Sequence, residues 1–187
     1  LVADSNDAEH NESWPRGRTN HYWFDLNRDW LLAIHPEIRG KLNWLHEWYP
    51  NVVVDVHEMG TNSNYFFDPM KPSASVKPLI PQENVDLYPI FAEYYIKYMD
   101  SIGSFYYSKE SFDETYPGYG STYSDLQGGL ALLFEQASSR GHVQETNYGK
   151  MTFGFTIRNQ FLNGIATVEA AVDNKMLLRD YQKRFFE

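Results

Sequence analysis

Asn51-Val52-Val53-Val54-Asp55-Val56-His57-Glu58-Met59 opens as a β-branched run and turns polar only at its C-terminal end. Side chains of that kind favour extended backbone, and a run with so little alternation reads as a buried strand. On its N-terminal side Ile38, Leu42, Leu45, Trp48 and Tyr49 recur at helical spacing over residues 36–49. Pro36 suits the first turn of that helix and Pro50 ends it. On the other side Tyr65-Phe66-Phe67 predicts a second short strand, and Pro69, Pro72, Pro78 and Pro81 make residues 68–82 a loop. Leu87, Phe91, Tyr94, Tyr98 and Ile102 mark one face of a helix over residues 83–103. Residues 104–123 hold seven tyrosines or phenylalanines among Ser, Gly and Pro117, which predicts a loop packed over something. Gly128-Gly129 precede a second buried strand, Leu130-Ala131-Leu132-Leu133-Phe134, followed at once by Glu135. A final helix over residues 153–184 carries Phe161, Ile165, Val168 and Val172 on one stripe. Strands alternating with helices predict an α/β sheet covered on both faces.

The 187 residues suit one domain with a sizeable core. Sixteen basic against 25 acidic residues give a net charge of −9, which argues against a nucleic-acid backbone or an anionic membrane as the main partner. The absence of cysteine excludes a disulfide scaffold, a thiolate zinc finger and a cysteine nucleophile. No apolar run reaches the roughly 18 residues a membrane span needs. Residues 1–20 are polar and read as a surface loop. Leu1-Val2-Ala3-Asp4 lacks both the regions of a signal peptide and an initiator Met, as in a processed or excised chain.

Both buried strands end in ionisable residues: Asp55, His57 and Glu58 on the first, Glu135 on the second. The carboxyl ends of strands face the ligand crevice in open α/β sheets. A carboxylate directly after five apolar residues is partly desolvated, which raises its pKa toward the general-base range. Glu135 pairing with Arg140, and His57 as a satisfied core histidine, are the structural alternatives. Asp25-Leu26-Asn27-Arg28-Asp29-Trp30, with Arg16 and Arg18 shortly before it, gathers groups able to clamp a carboxylate through bidentate guanidinium bonds. Read structurally, Asp25 or Asn27 caps a helix there.

Arg18-Thr19-Asn20, the Asp25–Trp30 block, Asp55-Val56-His57-Glu58, Tyr119-Gly120-Ser121-Thr122-Tyr123 and Leu133-Phe134-Glu135 occur in this order. The series, over residues 14–165, resembles the zinc carboxypeptidases of the carboxypeptidase A type, in particular their large bacterial relatives. The resemblance implies an α/β/α sandwich with a mixed sheet. It implies His57 as the third zinc ligand and Glu135 as the base that activates water and then protonates the leaving amine. Arg18 matches the arginine that stabilises the oxyanion, and Asn27 with Arg28 the pair that holds the substrate's carboxylate. Asp25 matches the acid that orients the first zinc histidine, and Tyr123 the mobile tyrosine over the substrate, with Tyr119 as the alternative.

The family's first two ligands form a His-x-x-Glu motif ahead of the Arg-x-Asn block, where this chain has only His10-Asn11-Glu12. His142-Val143-Gln144-Glu145 has the form but follows Glu135 and reads as coincidence; His21, His35 and His46 read as helix or surface residues. The expectation is therefore that residues 1–187 are the C-terminal two-thirds of one metallocarboxypeptidase-like domain, with the missing ligands upstream of Leu1. A lost metal site and ligands from a partner chain are the alternatives. The implied activity is zinc-dependent hydrolysis of a peptide or amide bond beside a free C-terminal carboxylate, in the cell envelope or outside the cell. A deacylase of N-acyl amino acids and a metal-free module binding C-terminal carboxylates are the other readings.

Overall fold

The computed structural model describes residues 18–71, 79–113 and 115–187. Of the surface loop expected at residues 1–20, residues 1–17, with His10, Glu12 and Arg16, lie outside them, as do Pro72 and Pro78. Helix α1, Pro36–Trp48, starts at its proline and ends on Tyr49, whose left-handed φ of 48° places its N–H on the Leu45 carbonyl. Strand β1, Val52–Met59, follows. Next come β2, Tyr65–Phe67; α2, Gln82–Ser101; β3, Tyr106–Tyr107; and the single turn α3, Gly120–Tyr123. Strand β4, Leu130–Ala137, precedes a hairpin of β5, Val143–Thr146, and β6, Gly149–Thr152. The chain closes with α4, Phe153–Asp173, and α5, Lys175–Phe186; the one long helix read from the sequence is broken at Asn174. No helix among the described residues is long and apolar enough to cross a membrane.

The main sheet has the order β1-β4-β2-β3, with β1 parallel to β4, β2 antiparallel to β4 and β3 parallel to β2. It is a mixed sheet between helices, an α/β/α sandwich. Side chains alternate across a strand, so each strand serves both layers. Tyr65, Phe67, Leu130, Leu132 and Phe134 pack with Val52 and Val54 against the layer containing α2, α4 and α5. Val53 packs on the other face with Trp30, Ile38, Leu42, Leu45 and Tyr123, and Leu133 with Phe66 and Met70.

Two expectations change. β1 pairs on one side only among the described residues, so it is an edge strand with Val56 exposed rather than a buried strand. Helix α4 has the predicted stripe, but turned outward: Phe161 is 65% and Val168 61% exposed, with Ile165 and Val172 also in the open. It buries Thr156, Asn159, Asn163, Ala166, Thr167 and Ala170 instead. Periodicity reports that one face is apolar; it does not report which layer is present to cover it.

Candidate active site

The ends of β1 and β4 build the site. In their parallel register His57 lies opposite Glu135 and Asp55 opposite Leu133, so these four side chains share one face. The block at residues 25–30 crosses in front of them, and each residue in it has a structural reason. Asp25 Oδ1 accepts the Asn27 N–H at 2.9 Å and caps the 3-10 turn Leu26–Arg28. Arg28 Nη1 donates to the Asn27 carbonyl at 2.8 Å, with its guanidinium 4.4 Å over the Tyr119 ring. Buried Asp29 accepts the N–H groups of Ile34 and His35 at 3.0 and 2.9 Å and so leads the chain into α1. Trp30 is in the core below.

These elements enclose a cavity of about 330 Å³ lined by Arg18, Arg28, His57, Tyr119, Leu133 and Glu135 among others. A second, of about 640 Å³, opens beside His57 along the unpaired side of β1, between Trp30 and Lys41 on one flank and Gln160 of α4 on the other. One oxygen of Glu135, Oε2, is buried with no hydrogen-bond partner. Burial pushes the Glu135 carboxyl above the ordinary carboxylate range; Asp55 adds to the rise, and His57 and Arg18 oppose it. For His57, the hydrogen bond with Asp55 (Nε2 to Oδ1, 2.8 Å) raises the imidazole pKa against the pull of burial. A half-buried carboxyl shifted upward in a cleft that two guanidinium groups also line is an arrangement suited to proton transfer at a substrate anion.

The structure brings Arg18, Asn27, Arg28, His57 and Glu135 to this cleft. Asp25 is beside it but contacts no described histidine: its Oδ2 accepts from Arg18 Nε at 2.7 Å and lies 3.7 Å from Arg28 Nη1. Tyr123 is not in the cleft. It is 6% exposed, with its hydroxyl 2.9 Å from His46 Nε2 and its ring against Trp30, between β1 and α1. Tyr119 occupies the position at the cleft that Tyr123 does not. Sequence reasoning gave Asp55 no role; its place two residues before His57, hence on the same strand face, was the available signal. Among the other described histidines, His35 Nδ1 is 2.9 Å from Asp29, and His142 packs edge-on to Phe153 while Glu145 is 3.6 Å from Lys150.

As a metal site the donors fall short. Among the described residues no group of three His, Asp or Glu side chains is placed to hold an ion. A hydrolytic zinc takes three protein ligands and a water, and this cleft offers one imidazole, His57.

No protein-family model matches the chain, and no curated protein matches it in sequence. Solved structures do match in fold. A protein named as a carboxypeptidase from Burkholderia mallei is similar at 16% identity and a TM-score of 0.62, over 83% of this chain and 41% of that one. A metallo-carboxypeptidase from Burkholderia cenocepacia is similar at 17% identity and a TM-score of 0.61, over 83% of this chain and 40% of its own. The chain thus spans about two-fifths of the length of each, and what it shares with them is a carboxypeptidase-like fold.

Proposed function

We propose that this chain carries the base and the anion clamp of a hydrolase that cleaves a peptide or amide bond next to a free C-terminal carboxylate. The observation behind this reading is the half-buried Glu135 carboxyl, one oxygen of which is enclosed without a hydrogen-bond partner, in the same cleft as Arg18 and Arg28. Arg28, stacked on Tyr119, holds the substrate carboxylate, and Tyr119 closes over it. Arg18 stabilises the oxyanion that forms at the scissile carbonyl. Glu135 removes a proton from the attacking water and returns it to the leaving nitrogen. A binding module without chemistry has no use for an enclosed carboxyl oxygen without a partner, which costs free energy wherever it is kept.

A zinc ion would supply Lewis acidity at the carbonyl, and His57 is its natural donor here. The described residues do not complete such a site, so the remaining ligands belong in this reading to chain upstream of Leu1, the 187 residues being the C-terminal two-thirds of one domain. The side of β1 left unpaired among the described residues, with a cavity alongside, supports it. The test is Glu135→Gln in the full natural protein, assayed on blocked dipeptides and on N-acyl amino acids, which separates peptidase from deacylase. Turnover should fall by ~10²–10⁴ while bound metal is retained. In the parent, kcat/KM should decline on acidification through a pKa above the usual glutamate value of about 4.3, because the base works only when ionised. Unchanged turnover in the variant would remove Glu135 from its role.

A further inference from the structure

A third cavity, of about 190 Å³, lies apart from the cleft. Glu135 and Gln136 are neighbours on β4 and point to opposite faces of the sheet, Glu135 into the cleft and Gln136 toward α4. The walls come from the start of β2, the end of β4, the β5–β6 hairpin and the first turns of α4, and share no residue with either cavity at the cleft. They are mostly apolar: Tyr65, Met151 and Phe155 inside, with Phe105 and Tyr148 exposed at the rim, their ring centroids 6.2 Å apart. At the floor is Asn159, which is fully buried. Its neighbours fix the orientation of its amide. Gln136 Nε2 donates to the Ala137 carbonyl at 3.0 Å, and a carbonyl only accepts, so Gln136 turns Oε1 toward Asn159. Asn159 Nδ2 faces that oxygen at 2.9 Å and also donates to Ser104 Oγ at 3.0 Å. This leaves Asn159 Oδ1, which has no hydrogen-bond partner among the described residues. The polar groups of the hairpin are turned to one another: Thr146 Oγ1 donates to the Gly149 carbonyl at 2.7 Å, and Lys150 Nζ is 3.6 Å from Glu145.

We propose that this cavity is a binding site for a phenol: one aromatic ring whose hydroxyl donates to Asn159 Oδ1 at the floor, while the ring packs on Met151 and Phe155 and meets Phe105 and Tyr148 at the mouth. An enclosed acceptor without a donor costs free energy, and a ligand that brings an O–H recovers it. The oxygen is reached only by a group pressed to the floor, which sets the direction of the ring, hydroxyl inward. Size selects a single ring: an apolar cavity of roughly 150 Å³ takes benzene, so this one takes a ring and its hydroxyl with little to spare. The walls select an aromatic over an aliphatic alcohol, through ring edges and the Met151 sulfur. Such a phenol is either a free small molecule or the side chain of a tyrosine in a peptide. The site goes beyond the hydrolase reading and does not depend on it.

The experiment compares p-cresol with toluene, the same ring without the donor, by calorimetry on the full natural protein. Water solvates the hydroxyl, so a cavity with no acceptor prefers toluene; the Asn159 oxygen should reverse that order, with p-cresol about fivefold or more tighter. Asn159→Leu should restore the preference for toluene. Because Asn159 also serves Gln136 and Ser104 and its loss can impair folding, Phe105→Ala with Tyr148→Ala supplies a second readout. Both rings are exposed, so the pair should leave the fold intact and weaken p-cresol by about fivefold or more. N-acetyl-tyrosine amide separates the sources: binding at least as tight as that of p-cresol assigns the site to a peptide tyrosine, and weaker binding assigns it to a free phenol. No heat from either ring at millimolar concentration, the result for a cavity that holds water only, overturns the proposal. So does a preference for toluene in the parent, or p-cresol binding that the rim variant leaves unchanged.

Discussion

Asp29 shows how much one side chain in the Asp25–Trp30 block contributes to the frame of the site. Burial alone would raise its pKa, but the N–H groups of His35 and Ile34 and the His35 ring outweigh that and bring it below 3.8. A carboxyl depressed in the folded state stabilises above its unfolded pKa, and that contribution is lost as pH falls through the folded value. The expected outcome is a denaturant midpoint that drops on acidification below pH 3.8 in the parent and drops less in Asp29→Asn. At neutral pH Asp29→Ala should cost about 1.5–3 kcal/mol, because two backbone donors at the entry to α1 lose a charged acceptor. At this scale the sequence was legible where a residue sits at a strand end: His57 and Glu135 follow apolar runs, and their pairing in register follows from that placement. Asn27 was harder, since its four partners come from Trp30, Gly120, Asp55 and His57, and spacing along the chain says nothing of where an amide turns.

Elements are joined here by buried polar anchors as much as by apolar packing. Asp125, in the 3-10 turn Ser124–Gln127, is fully buried. Its Oδ1 accepts from Asn84 Nδ2 at 3.0 Å and from the Ala131 N–H at 2.9 Å, and its Oδ2 from the Tyr88 hydroxyl at 2.7 Å. One carboxylate thereby ties α2 to the start of β4. Tyr88→Phe should cost about 1–3 kcal/mol, read as a lower denaturant midpoint with an unchanged m-value, since a buried charged acceptor loses a donor while the ring stays packed. The existence of α1, α2 and the long C-terminal helical region was plain from period alone. The break at Asn174 and the outward turn of the α4 stripe were not, because both depend on what α4 packs against. It sends Glu169 to Lys97 and Tyr98 of α2, Asn159 to Gln136 of β4, and Gln160 to the His57 carbonyl of β1. The apolar stripe takes the arc that remains, beginning beside Gln160.

That arc, taken with the opposite layer, describes the molecule as a whole. On α1 Lys41 lines the cavity at the open side of β1, and Trp44 and Trp48, one and two turns further on, are 58% and 72% exposed. On α4 Phe161, Ile165, Val168 and Val172 are exposed on the other side of the same sheet. Two helices on opposite faces thus leave apolar rows in the open, while the strand between them has one edge unpaired among the described residues. β1 carries Asp55 and Glu58 toward its C-terminal end, but its Val52-Val53-Val54 start has no charge or proline to protect the edge and is a template for further pairing, and exposed apolar rows favour association. The 187-residue chain by itself should therefore self-associate with rising concentration in light scattering. Phe161→Gln with Val168→Gln should reduce that association, with little loss of the chain's own stability because both side chains are exposed in it. In the full natural protein the argument reverses the sign. If upstream strands extend the sheet past β1, the stripe becomes core, and the same pair of substitutions should destabilise by about 2–5 kcal/mol, the scale of removing large apolar groups from a packed interior. A 187-residue chain that stays monomeric, together with a full protein indifferent to both substitutions, would show that nothing covers this face and that the sheet ends at β1.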